Sequence, residues 1–397
     1  MALKKKNFLV IGASLWQIPL IKEVQRQGFA CVATDRNPNA DGFKVADYSE
    51  PVDILDLQGT LDAARRYSII GAATDQTDLA MTALAHVCSE MGLVGPSLRT
   101  ALNTTNKRVM RELTRHHLPT PKWYATNNRD ECIARTREIG LPVVIKPTDN
   151  QASRGVRKVV KLDDAGAAFD SALPFSREGM VLIEEFMTGR EATVEGFVDA
   201  ERPHLLGVSL KRHTPPPCII AINLDFPAPL PDRFMARIEW TYNKLIELLG
   251  IEHGSVHGEL ILTKQGPMLV EMANRGGGSG TISHLIPAIS GVNCLEALIR
   301  TAVGEKIKIH RQFHRGGVMR FKIWEPGKVK DIVGIEEARA MPGTVVIVMY
   351  IKPGDTLVPI TMDTQRHALF ITSGDDLADA KRVMAEVEGM VRVVYGC

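Results

Sequence analysis

Apolar positions along the chain recur with two periods, and their alternation sets the first expectation. Between residues 1 and 95, short apolar runs at 8–11, 30–34 and 68–73 read as strands. Helical spacing covers 18–27, 58–67 and 78–91. Strands alternating with helices predict a parallel sheet with right-handed crossovers. After the Gly95-Pro96-Ser97 break, helices are expected over 106–116 and 131–139, and strands over 143–145, 156–160 and 180–186. A strand pair follows at 191–199 and 204–211, then an amphipathic helix at 234–249 and a helix broken near Gly291 at 286–303. From Arg315 the pattern turns β-rich, with strands at 318–324, 329–332, 345–349 and 367–372 and a last helix at 375–388. The predicted class is a multidomain chain, part α/β and part α+β, with an N-terminal parallel domain and a β-rich C-terminal domain.

The stretch from His257 to Gly280 carries the most chemistry. It reads as strands at 258–262 and 267–272, joined by a three-residue turn of Lys264, Gln265 and Gly266. A turn centred on Gln265 sets Glu259 opposite Glu271. Cross-strand Cβ atoms lie about 5 Å apart, and like charges so opposed destabilise a sheet. The other face, with Gly258, Leu260, Leu262, Met268, Val270 and Met272, is expected to pack on a core. A divalent cation is the simplest reason for the two carboxylates, since Mg²⁺ favours a few carboxylates plus substrate phosphates. Asn274 offers a further oxygen, Arg275 a fork for an anion, and Gly276–Gly280 a backbone that a ligand can approach. The competing reading is a solvated hairpin edge that ends in a glycine loop.

Other positions add to this. Lys107 falls in the first turn of a helix, where a cation is unfavourable unless an anion is near; a solvated lysine is the alternative. Lys146 ends a β-branched strand before Pro147, a rigid mount for a phosphate clamp. Residues 149–156, Asp-Asn-Gln-Ala-Ser-Arg-Gly-Val, can lay N–H groups over phosphates, although the Walker pattern is absent. The strand at 180–186 ends in Glu184 and Glu185, followed by Glu191. These suit an adenine hinge and a ribose diol, or else a solvated edge. In the N-terminal domain, Gly12 and Asp35 suggest a dinucleotide unit. That fingerprint needs three glycines, and Ser14 and Gln17 occupy the other two places. A plain α/β domain lending one edge to a substrate pocket competes with it.

Composition narrows the classes. A length of 397 residues implies two or three domains. A net charge of +2 gives no reason to expect nucleic acid or a membrane surface as partner. No apolar run approaches the roughly 18 residues of a membrane span. Six scattered cysteines without a C-x-x-C pair suggest reduced thiols and a cytoplasmic setting.

Taken in order, the helix lysine, strand-end lysine, Ser-Arg-Gly loop, twin-acid strand, paired carboxylates and arginine with a glycine run resemble the ATP-grasp superfamily. Within it they are similar to the carboxylate–amine ligases, L-amino-acid (dipeptide) ligases included. Gly334-x-Glu-Glu-Ala and Lys352-Pro-Gly-Asp extend the resemblance to the C-terminal part. It implies an N-terminal α/β domain at 1–95, an ATP-grasp core of two subdomains at 96–310 with a mobile lid near 120–185, and a C-terminal domain at 311–397. It also implies ATP and Mg²⁺ (or Mn²⁺) as cofactors. The substrates would be a small carboxylate and an amine, amino acids among them, with a homodimer among the compatible assemblies.

Residue by residue, the resemblance implies that Lys107 and Lys146 contact phosphates and that Ser153, Arg154 and Gly155 close over them. Glu184, Glu185, Phe186 and Met187 would hold adenine and Glu191 the ribose. Lys211 would approach the γ-phosphate, Glu259, Glu271 and Asn274 would hold metal, and Arg275 the substrate carboxylate and its acyl phosphate. One departure stands out. The family often has E-x-N-x-R, whereas this chain reads Glu271-Met-Ala-Asn-Arg275. A shift of one residue on a strand reverses side-chain direction, which weakens Asn274 as a ligand. The implied activity is ATP-dependent amide formation through an acyl phosphate. The alternatives are an ATP-grasp enzyme with a thiol, bicarbonate or phosphoryl acceptor, and an NAD(P)-dependent oxidoreductase.

Overall fold

The computed structural model describes residues 5–151, 154–215 and 220–396. The N-terminal part alternates as the spacing predicts: β1 (Asn7–Ile11), α1 (Ile18–Arg26), β2 (Ala30–Thr34), β3 (Tyr48–Glu50), α2 (Leu57–Arg66), β4 (Ala72–Ala73) and α3 (Met81–Met91). Its strands form one parallel sheet in the order β3-β2-β1-β4. β2 is buried along its whole length and β1 from Phe8 onward, which is why they read as unbroken apolar runs.

Two helices, α4 (Leu98–Asn103) and α5 (Lys107–Thr114), lead into a second unit. It holds β5 (Trp123–Thr126), α6 (Arg129–Ile139), β6 (Val143–Pro147), β7 (Arg157–Val159), α7 (Ala165–Ala172) and β8 (Val181–Glu185). The strands form an antiparallel sheet in the order β5-β8-β6-β7. Val143, Ile145, Val181 and Ile183 pack from this sheet against Cys132 and Phe169 of the helices. β5 was not legible in the sequence, because its four residues are too few to show a period.

The third unit contains β9 (Arg190–Val198), β10 (Pro203–His213), β11 (Ala221–Phe226), α8 (Asp232–Leu249), β12 (Gly254–Thr263), β13 (Gly266–Ala273), α9 (Ile286–Ser290) and α10 (Cys294–Ala302). The chain continues through β14 (Gly316–Lys322), β15 (Gly327–Val333), α11 (Ile335–Ala340), β16 (Thr344–Met349), β17 (Thr356–Leu357), β18 (Ala368–Gly374), α12 (Leu377–Met390) and β19 (Arg392–Tyr395). An eight-stranded sheet runs β13-β12-β9-β10-β11-β14-β18-β16. Three C-terminal strands therefore extend the sheet that carries the hairpin, and β11, which sequence spacing missed, joins the two groups. β15, β17 and β19 form a small separate sheet.

α8 seals one face of the long sheet, where Tyr242, Leu245 and Leu249 meet Val194, Leu260, Leu269 and Met272. On the other face, Ile282, Leu285 and Ile286 cover Phe226, Met319 and Ile371, within a core continuous with Phe8 and Val10 of the N-terminal sheet. What stays polar on that face, over β9, β10 and β12, is the candidate site. Cys31, Cys88, Cys132 and Cys294 are buried free thiols. Among the described residues, no single helix is long and apolar enough to cross a membrane.

Candidate functional site

The hairpin reaches its expected pairing by a different route. Thr263 pairs with Gly266, so the turn is only Lys264-Gln265. That shorter turn, continued without interruption, would set Glu259 opposite Val270. A bulge between Glu259 and Leu260 leaves Val270 unpaired and restores Glu259 opposite Glu271. The bulge also corrects the expected core face. Leu269, not Val270 or Met268, packs with Leu260 and Met272. Met268 lies opposite Ile261, on the face of the acids.

Each acid has a cation. Lys107, the first residue of α5, reaches Glu271 at 2.6 Å and the Asn150 carbonyl at 2.8 Å. Lys211 of β10 bridges Glu259 and Glu191 at 2.5 Å each, and His213 lies 3.3 Å from Glu191. Burial opposes ionisation here. Lys211 and His257 nevertheless hold the Glu259 carboxyl well below its usual range, and Glu271 keeps Lys107 raised. Behind them, His257 Nδ1 meets Glu195 at 2.6 Å. Burial alone would lower the imidazole, but the Glu195 carboxylate lifts it to about 9. The same carboxylate accepts from the Gly277 N–H at 3.1 Å. A Cβ on Gly277 would overlap the Glu195 carboxylate and push it from its place beside His257.

The opposite wall is the four-stranded unit. Lys146 Nζ pairs with Glu184, and Arg111 Nε reaches the same carboxylate at 2.5 Å. All three are buried. Two cations share one acid, so burial pushes the Lys146 ammonium down, while Arg111 and Lys146 hold Glu184 low against its own desolvation. Arg111 also donates to the Val270 carbonyl at 3.1 Å, tying this wall to the bulge. The Glu184 side chain is thus turned inward, and only its main chain is left for a ligand. Glu185 is exposed, and Phe186 lies under Lys158 at 3.6 Å. Arg154 donates to Asn150 Oδ1 at 3.1 Å, and Gly155 has a left-handed φ of 74°. Ser153 lies outside the described residues.

Arg275 is clamped by a residue that sequence reasoning missed. Its Nε and Nη2 meet the two Asp78 oxygens at 2.6 and 3.1 Å, and Nη1 donates to the Gly276 carbonyl at 2.9 Å. The guanidinium holds Asp78 below the usual carboxylate range despite burial. Asp75 accepts from Gly276 N–H at 3.2 Å, and burial raises it to about 7. Gln76 accepts from Gly280 N–H at 2.9 Å. Gln76 and Ser279 both have left-handed φ, 61° and 56°, a strain that tends to cluster at functional sites. The signal available was position: 75–78 follows β4, and open α/β sheets bind ligands outside their carboxyl strand ends. Arg111 could have been found from Lys107, Arg111 and Thr114 sharing one face of α5.

Asn274 donates to the carbonyls of His253 and Ser255 at 3.0 and 3.1 Å, so its amide nitrogen braces the start of β12. Asp35, the ribose candidate of a dinucleotide unit, accepts from the N–H groups of Ala13 and Asn37 at 3.0 and 2.9 Å and so ties the loop after β2 to the loop after β1.

Residues 139–283 match the model of the ATP-grasp domain, and residues 320–396 that of the L-amino acid ligase C-terminal domain 2. The chain is 26% identical over 334 residues to "Uncharacterized protein y4rH" of Sinorhizobium fredii, covering 82% of this chain and 66% of that one. It is 31% identical over 199 residues to the formate-dependent phosphoribosylglycinamide formyltransferase of Stutzerimonas stutzeri, covering 49% and 47%. Of these curated relatives it thus spans about two thirds and about half the length. The solved L-amino acid ligase from Bacillus licheniformis shares the fold over 100% of both chains, with a TM-score of 0.82 at 20% identity.

Proposed function

We propose that this chain, which belongs to the ATP-grasp superfamily, is an ATP- and Mg²⁺-dependent ligase that joins a carboxylate to an amine. The observation that carries the reading is the Glu259–Glu271 pair, opposed across the hairpin and neutralised by two lysines from different elements. The donor set suits a hard cation. Among the described residues no cluster of three His, Cys, Asp or Glu forms a metal site, so the remaining ligands would come from phosphates, as Mg²⁺ prefers. Glu259 and Glu271 would hold the ion, Mg²⁺ or Mn²⁺, and Asn274 would brace the strand beside them. A bound ion there supplies charge neutralisation on the transferring phosphoryl group.

In this reading Lys107 and Lys146 bind phosphates and Lys211 faces the γ-phosphate. The main chain from Glu184 to Met187 holds adenine over Ile261 and Met268, and Glu191 holds the ribose. Arg154 and Gly155 cover the phosphates. A carboxylate is a poor acyl donor, so its oxygen attacks the γ-phosphorus of ATP, with ADP leaving. Arg275, aimed by Asp78, then neutralises the acyl phosphate. The amine attacks the acyl carbon, phosphate leaves, and the ammonium proton passes to solvent. The lid over residues 120–185 excludes water, which would otherwise hydrolyse the intermediate. The division into 1–95, 96–310 and 311–397 belongs to the same proposal.

The test is a coupled ADP-release screen over paired acids and amines. ADP release that needs both partners and yields an amide supports the ligase. Release with acid and a thiol or bicarbonate but no amine would move the acceptor, and an absence of turnover with every pair would remove the activity.

A further inference from the structure

A cavity of about 30 Å³ lies where the N-terminal sheet, β12 and α10 meet, and Asn274 and Arg275 form part of its wall. Its apolar side comes from Met81 and Leu84 of α3 and Leu298 of α10. Its polar side comes from His253, Ser255 and Thr301. Among the described residues, six buried side-chain atoms lack a hydrogen-bond partner. Three of them, His253 Nε2, Ser255 Oγ and Thr301 Oγ1, belong to residues of this wall. Ser255 is only 1% exposed. Thr74, a further hydroxyl there, is already paired, because it donates to the Ile11 carbonyl at 2.7 Å. Unpaired buried polar atoms are costly, so three around one cavity point to an occupant that pairs them.

The wall selects the chemistry of that occupant. Its charged residue is Arg275, and Asp78 already matches that charge at two points. Burial holds the His253 imidazole below its usual range, so the ring is neutral near pH 7. Neither a cation nor an anion gains from such surroundings. A neutral imidazole and two hydroxyls call for a partner that both donates and accepts, and water does both. One water needs roughly 10–15 Å³, so the cavity has room for about two.

We infer that this cavity is a buried hydration site, in which water joins His253 and Ser255, at the start of β12, to Thr301 of α10 beside Arg275. The site extends a brace that the main chain already has. Asn274 donates to the carbonyls of His253 and Ser255, the same two residues whose side chains line the cavity. Water carries that brace across to α10. Buried waters of this kind make about three hydrogen bonds each and are costly to remove. Hydration here is independent of the ligase reading, and its test reads density and stability rather than turnover.

A high-resolution crystal structure of the wild-type protein should show water density roughly 2.6–3.2 Å from Ser255 Oγ and from Thr301 Oγ1. Thr301→Val and Ser255→Ala each remove one partner of that water. Each should lower the denaturant midpoint, and the double variant should lose less than the sum, because the two hydroxyls share the same water. A dry cavity gives the opposite sign, since deleting an unpaired hydroxyl removes its desolvation cost and raises the midpoint. Thr301→Ser keeps the hydroxyl and should keep the density, which separates loss of hydrogen bonding from loss of the methyl group. Xenon under pressure is the second probe, because dry apolar cavities take it up. Empty density, xenon bound in the wild type, or a midpoint that fails to fall in both single variants overturns the hydration site. Should a variant not fold, the wild-type density and the xenon experiment decide.

Discussion

Exchanging Glu271 for Gln should change two properties in opposite directions. Glu271 is the partner of Lys107 at 2.6 Å, with side chains 20% and 11% exposed. In the proposed site, ATP without metal must displace this carboxylate to reach Lys107. A hydrogen bond between charged groups contributes roughly 1.5–3 kcal/mol net. At about 1.4 kcal/mol per tenfold, removing that competitor should tighten metal-free ATP binding roughly 10- to 100-fold. Loss of repulsion between the carboxylate and the triphosphate acts in the same direction. Mg²⁺-dependent turnover should instead fall by roughly a hundredfold or more, because one of two metal carboxylates is gone. Titration calorimetry with ATP in excess EDTA reads the first effect, and ADP release in Mg²⁺ the second. Metal-free ATP that binds the variant no better than the wild type would show that Lys107 does not meet phosphate, and the exchange of partners would be wrong.

Three further outcomes follow from the same geometry. Arg111→Met leaves Glu184 paired with Lys146 but removes the buried hydrogen bonds to Glu184 and to the Val270 carbonyl, and should destabilise the ligand-free protein by roughly 1.5–3 kcal/mol, read as a lower denaturant midpoint. Asp75 is raised to about 7 by burial, so the native state holds its proton where the unfolded chain has lost it. Its contribution is therefore present below about pH 4 and is lost as pH rises to 7, by up to roughly 4 kcal/mol, and Asp75→Asn should flatten that part of the stability–pH curve. Asp78→Ala frees Arg275 from its two-point clamp and should lower kcat for ADP release about tenfold or more with MgATP binding unchanged; equal loss of nucleotide affinity would count against a positioning role.

The sequence by itself determined the types of the longer elements, the parallel N-terminal sheet and the presence of the acid-bearing hairpin, because these depend on local period and spacing. Buried apolar runs and a short turn can be read within a dozen residues. The register shows where that ends. The pairing of Glu259 with Glu271 was expected from a three-residue turn, yet it arises from a two-residue turn and a bulge at Val270, and packing, not local spacing, decides where a bulge falls. Only the tertiary structure brought Asp78 to Arg275, 197 positions apart, and Arg111 to Glu184, 73 apart. Such ion pairs leave no periodic trace, since each partner looks like an ordinary charged residue until burial removes the water that would otherwise solvate it. The same holds for β11, whose six residues acquire meaning only as the strand that joins the hairpin's sheet to the C-terminal strands.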